Sequence, residues 1–151
     1  SCLMGWTLLA LAAIDWRSFI LPDPLNALLA VLGLVMVGLY AREAWLDHLI
    51  GAVAGYGILF SVETFYRITR GRDGLGRGDA KLLGALGLWT GWTRLPDILL
   101  MASLAGLAAA LVSSRLSKEP LSGSTALAFG PWLALAGWVS WLAGPILVPA
   151  T

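Results

Sequence analysis

The chain has 151 residues, 58% of them apolar and only 13% charged, with a mean hydropathy of +0.80. Soluble domains carry about 25% charged residues, so this composition excludes a water-soluble domain of useful size and points to a polytopic membrane protein. A net charge of +1 gives no basic footprint for nucleic acid, and a single cysteine, Cys2, excludes an internal disulfide and a multi-cysteine zinc site.

Apolar runs able to cross about 30 Å of hydrocarbon recur along the whole length. The chain therefore reads as one membrane-embedded unit, residues 1–151, all-α with about six transmembrane helices. The first is predicted from Cys2 to Phe19, the second from Pro24 to Tyr40, and the third from Trp45 to Tyr66. The fourth, from Gly78 to Trp92, is short enough to need an incomplete crossing or shielding by its neighbours. The fifth runs from Pro96 to Ser114 and the sixth from Ala126 to Val148, with Pro131 and Pro145 as expected kinks or breaks. Gly51 and Gly55, Gly87 and Gly91, and Ala102, Gly106 and Ala110 repeat at four-residue spacing, which lets helix backbones approach closely in lipid. Trp16, Trp45 and Trp92 stand near span ends as interfacial anchors.

The connectors set an orientation. The first-to-second, third-to-fourth and fifth-to-sixth loops hold Arg17, then Arg67, Arg70, Arg72, Arg77 and Lys81, then Arg115 and Lys118, eight of the ten basic residues. Only Arg42 and Arg94 lie on the other side, so the positive-inside rule turns the arginine-rich face to the cytoplasm. Asp15 and Asp79 both fall on that face.

Each of these aspartates has two readings. Asp15 closes the first apolar run, where the helix dipole disfavours a carboxylate and Arg17 is not on the same helix face. It is either a boundary residue or a functional acid. Asp79 is either a plain N-cap of the fourth helix or the acid of a glycine-rich turn in which Gly74, Gly76 and Gly78 alternate, a pattern that suggests close approach of another chain or unusual dihedrals. As a pair they suit general acid–base hydrolysis by a shared proton, without nucleophile, metal or cofactor. Asp23, between Pro22 and Pro24, reads as a helix cap. Lys81 is placed to bias the charge of Asp79 or to meet lipid phosphate. Glu63 with Arg67 reads as a helix-surface ion pair, and His48 as interfacial packing.

These motifs together resemble the type IV prepilin peptidases, membrane aspartyl proteases with a Gly-x-Gly-Asp sequence. The matching residues are Ile14-Asp15, Leu21-Pro22-Asp23, Gly74 through Leu83, Gly51 through Tyr56, and Phe129-Gly130-Pro131. The resemblance implies a multi-pass protein of the bacterial inner membrane whose active site faces the cytoplasm. Its partners would be type IV prepilins or type II secretion pseudopilins, each losing a basic leader after a glycine. Asp15 and Asp79 would be catalytic, with Gly74, Gly76, Gly78, Asp23 and Lys81 shaping the site or binding substrate. The zinc-binding N-terminal domain with methyltransferase activity, frequent in that family, has no counterpart in these residues, so methylation is not expected of them. Arg77 stands where the family often has an aromatic residue, which changes the charge near Asp79. Two other readings accompany this one. One is a small transporter using the aspartates as an ion relay, disfavoured because both lie toward one face. The other is a homologue that binds prepilins without cleaving them.

Overall fold

The computed structural model describes residues 2–18, 21–71, 76–117 and 128–143. Its six α-helices are α1 (Cys2–Ser18), α2 (Asp23–Tyr40), α3 (Trp45–Arg70), α4 (Arg77–Thr90), α5 (Leu95–Ser117) and α6 (Gly130–Ala143), with 3-10 turns at Arg42–Ala44 and Trp92–Arg94. Helices are the natural solution for so apolar a chain, because each satisfies its backbone groups internally where water is absent. The segments Asp23–Tyr40, Arg42–Arg70 and Trp92–Leu116 are long and apolar enough to cross a membrane. Large apolar side chains such as Trp6, Leu9, Val53, Phe65, Leu104 and Leu107 point outward on these helices and on α1. Such surfaces are untenable in water and natural in lipid, and the protein is a polytopic helical membrane protein.

Helix boundaries follow local chemistry, with three corrections to expectation. α3 runs on to Arg70 and stops where Gly71 takes the left-handed conformation (φ 64°) and returns its N–H to the Arg67 carbonyl, a cap that glycine makes without strain. Pro131 does not kink a helix. α6 begins at Gly130, so Pro131 sits in the first turn, where the missing N–H has no intrahelical partner to lose. Asp23 is not a cap either. Pro22 occupies the capping position, no side chain caps the helix, and Asp23 is already helical. Pro145 lies outside the described residues.

α4 is the centre of the bundle. Its 14 residues reach only about 21 Å, yet every one from Leu82 to Thr90 is buried, chiefly against α2, α3 and α6. A short helix shut inside protein must satisfy its terminal carbonyls locally. Gly91 N–H closes on the Gly87 carbonyl at 2.8 Å, Thr90 Oγ1 donates to Leu86 O at 2.9 Å, and the His48 ring donates through Nδ1 to Leu88 O at 2.8 Å. His48 thus ties α3 to the end of α4. On the opposite flank the Trp89 indole donates to Leu29 O of α2 at 2.8 Å. Trp16, Trp45 and Trp92, by contrast, are exposed at helix ends.

The small residues of α3 and α4 allow a near-touching pair of backbones. A Cβ on Gly87 would strike the Gly51 carbonyl oxygen, one on Gly51 would strike that of Gly87, and one on Gly55 would lie 2.7 Å from Leu83 O. Backbone atoms cannot swing aside as a side chain can. Gly87→Ala is therefore expected to destabilise the protein by about 1–3 kcal/mol or more, read as a lower unfolding midpoint in detergent. An unchanged midpoint would show that this helix pair has room for a methyl group.

Candidate active site

Both motif aspartates are buried, Asp15 at 4% exposure and Asp79 at 6%. Each arrives at the same end of the bundle, Asp15 from the last turn of α1 and Asp79 from the first turn of α4. They are near enough for the charge of Asp15 to act on Asp79.

Each carboxylate rests on a helix N-terminus. Asp15 accepts a hydrogen bond from the backbone N–H of Gly130, the first residue of α6. That N–H is one of the four a helix leaves unpaired, and the positive end of the α6 dipole faces the carboxylate. The adverse dipole at the end of α1 is thus offset by another helix 115 residues away in sequence. Asp79 is the third residue of α4 and its carboxylate accepts the N–H of Gly76, which occupies the N-cap position. The plain N-cap reading of Asp79 does not hold, because the helix begins two residues earlier, at Arg77. The Oδ1 atom of Asp79 is buried with no hydrogen-bond partner among the described residues.

Leu21 closes the space between the two helix starts. Its Cδ1 would be 3.2 Å from a Cβ on Gly78 and 3.1 Å from one on Gly130, and its Cβ would be 2.7 Å from a Cβ on Gly78. A Cβ on Gly130 would also stand 2.5 Å from Oδ2 of Asp15. Glycine at 78 and 130 is thus a packing requirement. Gly76 is different: its backbone is ordinary extended chain (φ −72°, ψ 138°) and an added Cβ would meet nothing closer than 3.9 Å. Of the two alternatives for the glycine run, close approach or unusual dihedrals, Gly78 shows close approach, to Leu21, and neither Gly76 nor Gly78 has a positive φ. Gly74 lies outside the described residues.

The flanking charges are paired away from the carboxylates. Lys81 Nζ donates to Asp23 Oδ1 at 2.6 Å, joining the two motifs across 58 residues. Both side chains are well exposed, so the pair adds little stability in spite of its short distance. Asp23→Asn is expected to change stability by less than about 1 kcal/mol, measurable by denaturation in detergent; a larger loss would mean that the bridge is shielded from solvent.

Glu63 departs from the expected surface pair. It is buried at 3% exposure, and its Oε1 lies 3.9 Å from Arg67 and 3.8 Å from Nε of Arg77, within the glycine motif. Sequence reading also passed over Gly130 as a site residue, although the Phe129-Gly130-Pro131 match was the signal available for it. Asn26 was missed altogether. It is buried on α2 with neither amide atom hydrogen-bonded among the described residues, and a lone asparagine in an apolar run carries no motif.

The chain matches the model of the type IV leader peptidase family over residues 2–111. It is 45% identical over 139 residues to the prepilin leader peptidase/N-methyltransferase of Escherichia coli K12, covering 89% of this chain and 60% of that protein. It is 42% identical over 144 residues to the proteins of the same name from Stutzerimonas stutzeri and Pseudomonas aeruginosa, covering 94% of this chain and 48% of each. The chain thus spans about half the length of the curated relatives it matches. No solved structure matches it. With its two buried aspartates, its glycine-rich motif and a family match over most of its length, the chain belongs to the type IV leader peptidase family.

Proposed function

We propose that this chain is an aspartic endopeptidase that removes the basic leader from type IV prepilins or type II secretion pseudopilins, with Asp15 and Asp79 as its catalytic pair. The observation that carries this reading is the placing of two buried carboxylates at one end of the bundle, one on each of two helix N-termini and near enough for the charge of Asp15 to act on Asp79, whose Oδ1 has no hydrogen-bond partner among the described residues. Membership of the leader peptidase family supports it, and it favours hydrolysis over the ion-relay reading.

The chemistry follows from the pair. Two carboxylates sharing a buried site cannot both ionise cheaply, so one proton is held between them. The ionised member takes a proton from water as the water attacks the scissile carbonyl. The protonated member gives its proton to the carbonyl oxygen, and the resulting diol collapses with a proton passed to the leaving amine. No covalent intermediate forms. Gly76, Gly78 and Gly130 act by presenting N–H groups or by leaving room, and Asp23 and Lys81 shape the rim. Gly74 joins this group on sequence alone.

In this reading the six helices all cross or enter the bacterial inner membrane, residues 1–151 form one membrane-embedded unit, and the site opens to the cytoplasm on the arginine-rich side. Methyl transfer, named for the longer relatives, is not proposed for these residues. The test is incubation of the purified protein with a prepilin in liposomes, with the product mass read by spectrometry. Loss of the leader at its glycine supports the peptidase. An intact precursor, bound but uncut, would assign the non-cleaving reading instead.

A further inference from the structure

We propose that Glu63 is a positioning residue for Asp79, acting through Arg77 to set the rotation of α4 about its own axis; this rests on the peptidase reading above. Residues two apart on a helix point to nearly opposite sides, whereas residues four apart share a side. Arg77 and Lys81 therefore lie on one flank of α4, and Asp79 projects from the other. Each of the two cations is held by an acid from a different element: Arg77 Nε lies 3.8 Å from Glu63 of α3, and Lys81 Nζ lies 2.6 Å from Asp23 at the start of α2. Two anchors on the flank opposite Asp79 oppose any roll of the first turn, and a roll would carry Asp79 away from Asp15.

The two anchors are unequal. Asp23 and Lys81 are solvent-exposed, so their attraction is screened. The Glu63 side chain is 4% exposed, so its field acts in a poorer dielectric on its own side of the pair, while Arg77, 64% exposed, is screened by solvent on the other. A carboxylate buried near the end of a membrane-crossing helix is costly without a counter-charge. Among the described residues Glu63 has two at similar distance, and of these Arg77 belongs to another helix. Arg67 is on α3 itself, four residues on, and cannot hold α4. Glu63 also offsets a cation at the first position of α4, where the helix dipole is already positive.

The experiment combines cleavage with a measurement that needs no activity. Glu63→Gln, which keeps the shape of the side chain, is compared with Arg77→Gln, the double variant, Arg77→Lys and Arg67→Gln, all in the full chain. Amide exchange of residues 77–81 without substrate should quicken about threefold or more in Glu63→Gln and Arg77→Gln, a size expected of residues in direct contact, while exchange in α2 stays as in the wild type. In prepilin cleavage, kcat should fall about ten- to a hundredfold with KM nearly unchanged, as for a displaced catalytic group. The double variant should be no worse than either single one, and Arg77→Lys should recover most of the loss. Arg67→Gln should leave the exchange of residues 77–81 unchanged. Unchanged exchange in Glu63→Gln, or an Arg67→Gln effect equal to that of Arg77→Gln, would overturn the proposal. If the wild type cuts no prepilin, the peptidase reading fails, and the exchange result still decides whether Glu63 holds the turn.

Discussion

Asp15→Asn and Asp79→Asn, each made singly, are expected to lower the rate of leader cleavage by about a thousandfold or more while the protein stays folded. General acid–base catalysis contributes about 10²–10⁴ per group, and in a dyad the loss of either member removes both the base and the proton it shares. Asparagine keeps the shape of the side chain and still accepts the N–H of Gly130 or Gly76, so the helix starts should survive. Burial favours the neutral amide, which has no charge to desolvate. Unfolding midpoints should therefore be equal to or above the wild-type value. The double variant should be no slower than the worse single one, because the two carboxylates act as a unit. Cleavage surviving at more than about a tenth of the wild-type rate in either variant would exclude the dyad, since a spectator carboxylate is the only kind that tolerates such a change.

Gly130→Ala is expected to lower kcat by about a hundredfold with a small change in KM. The added methyl would sit 2.5 Å from Oδ2 and 3.0 Å from Cγ of Asp15, and 3.1 Å from Leu21 Cδ1. Either Asp15 rotates away or the start of α6 withdraws, and both displace one carboxylate from the other. Misplacement of a reacting group by about 1 Å is sufficient for an effect of this size. Binding of a membrane-inserted precursor draws on the wider surface and should be nearly spared. Single-turnover cleavage at saturating prepilin separates the two quantities. A wild-type kcat in Gly130→Ala would show that Asp15 does not depend on the start of α6.

Much of the fold was legible because lipid imposes simple rules. The apolar runs predict about six membrane-crossing helices; six helices lie among the described residues, three of the segments long and apolar enough to cross. The expected ends of the sixth, Ala126 and Val148, lie outside the described residues, and the short fourth one needs shielding, which the bundle supplies from Leu82 to Thr90. The four-residue glycine spacing on α3 pointed to a close helix contact, and the contact with α4 is there. The failures are as instructive. Asp23 between two prolines has every local mark of a cap, yet its partner is Lys81, 58 residues on. Glu63 and Arg67 form the pair that their spacing predicts, yet the acid is buried and shared with Arg77 of α4. Of the kink or break expected at Pro131, the structure has a boundary and no kink: the helix begins one residue before it.

Composition and apolar periodicity alone carry the class of protein and its helical elements, and short motifs point to the family and to Asp15 and Asp79 as candidate site residues. These are properties of composition, periodicity and short-range order, which a chain carries wherever it folds. Only the tertiary structure decided which groups surround each carboxylate. Asp15 depends on a backbone N–H from α6, Arg77 on an acid from α3, and Gly78 and Gly130 on the width of Leu21. Those contacts join residues 14 to 115 positions apart in sequence, and a contact of that kind is set by how helices pack and rotate against one another, which no local pattern encodes.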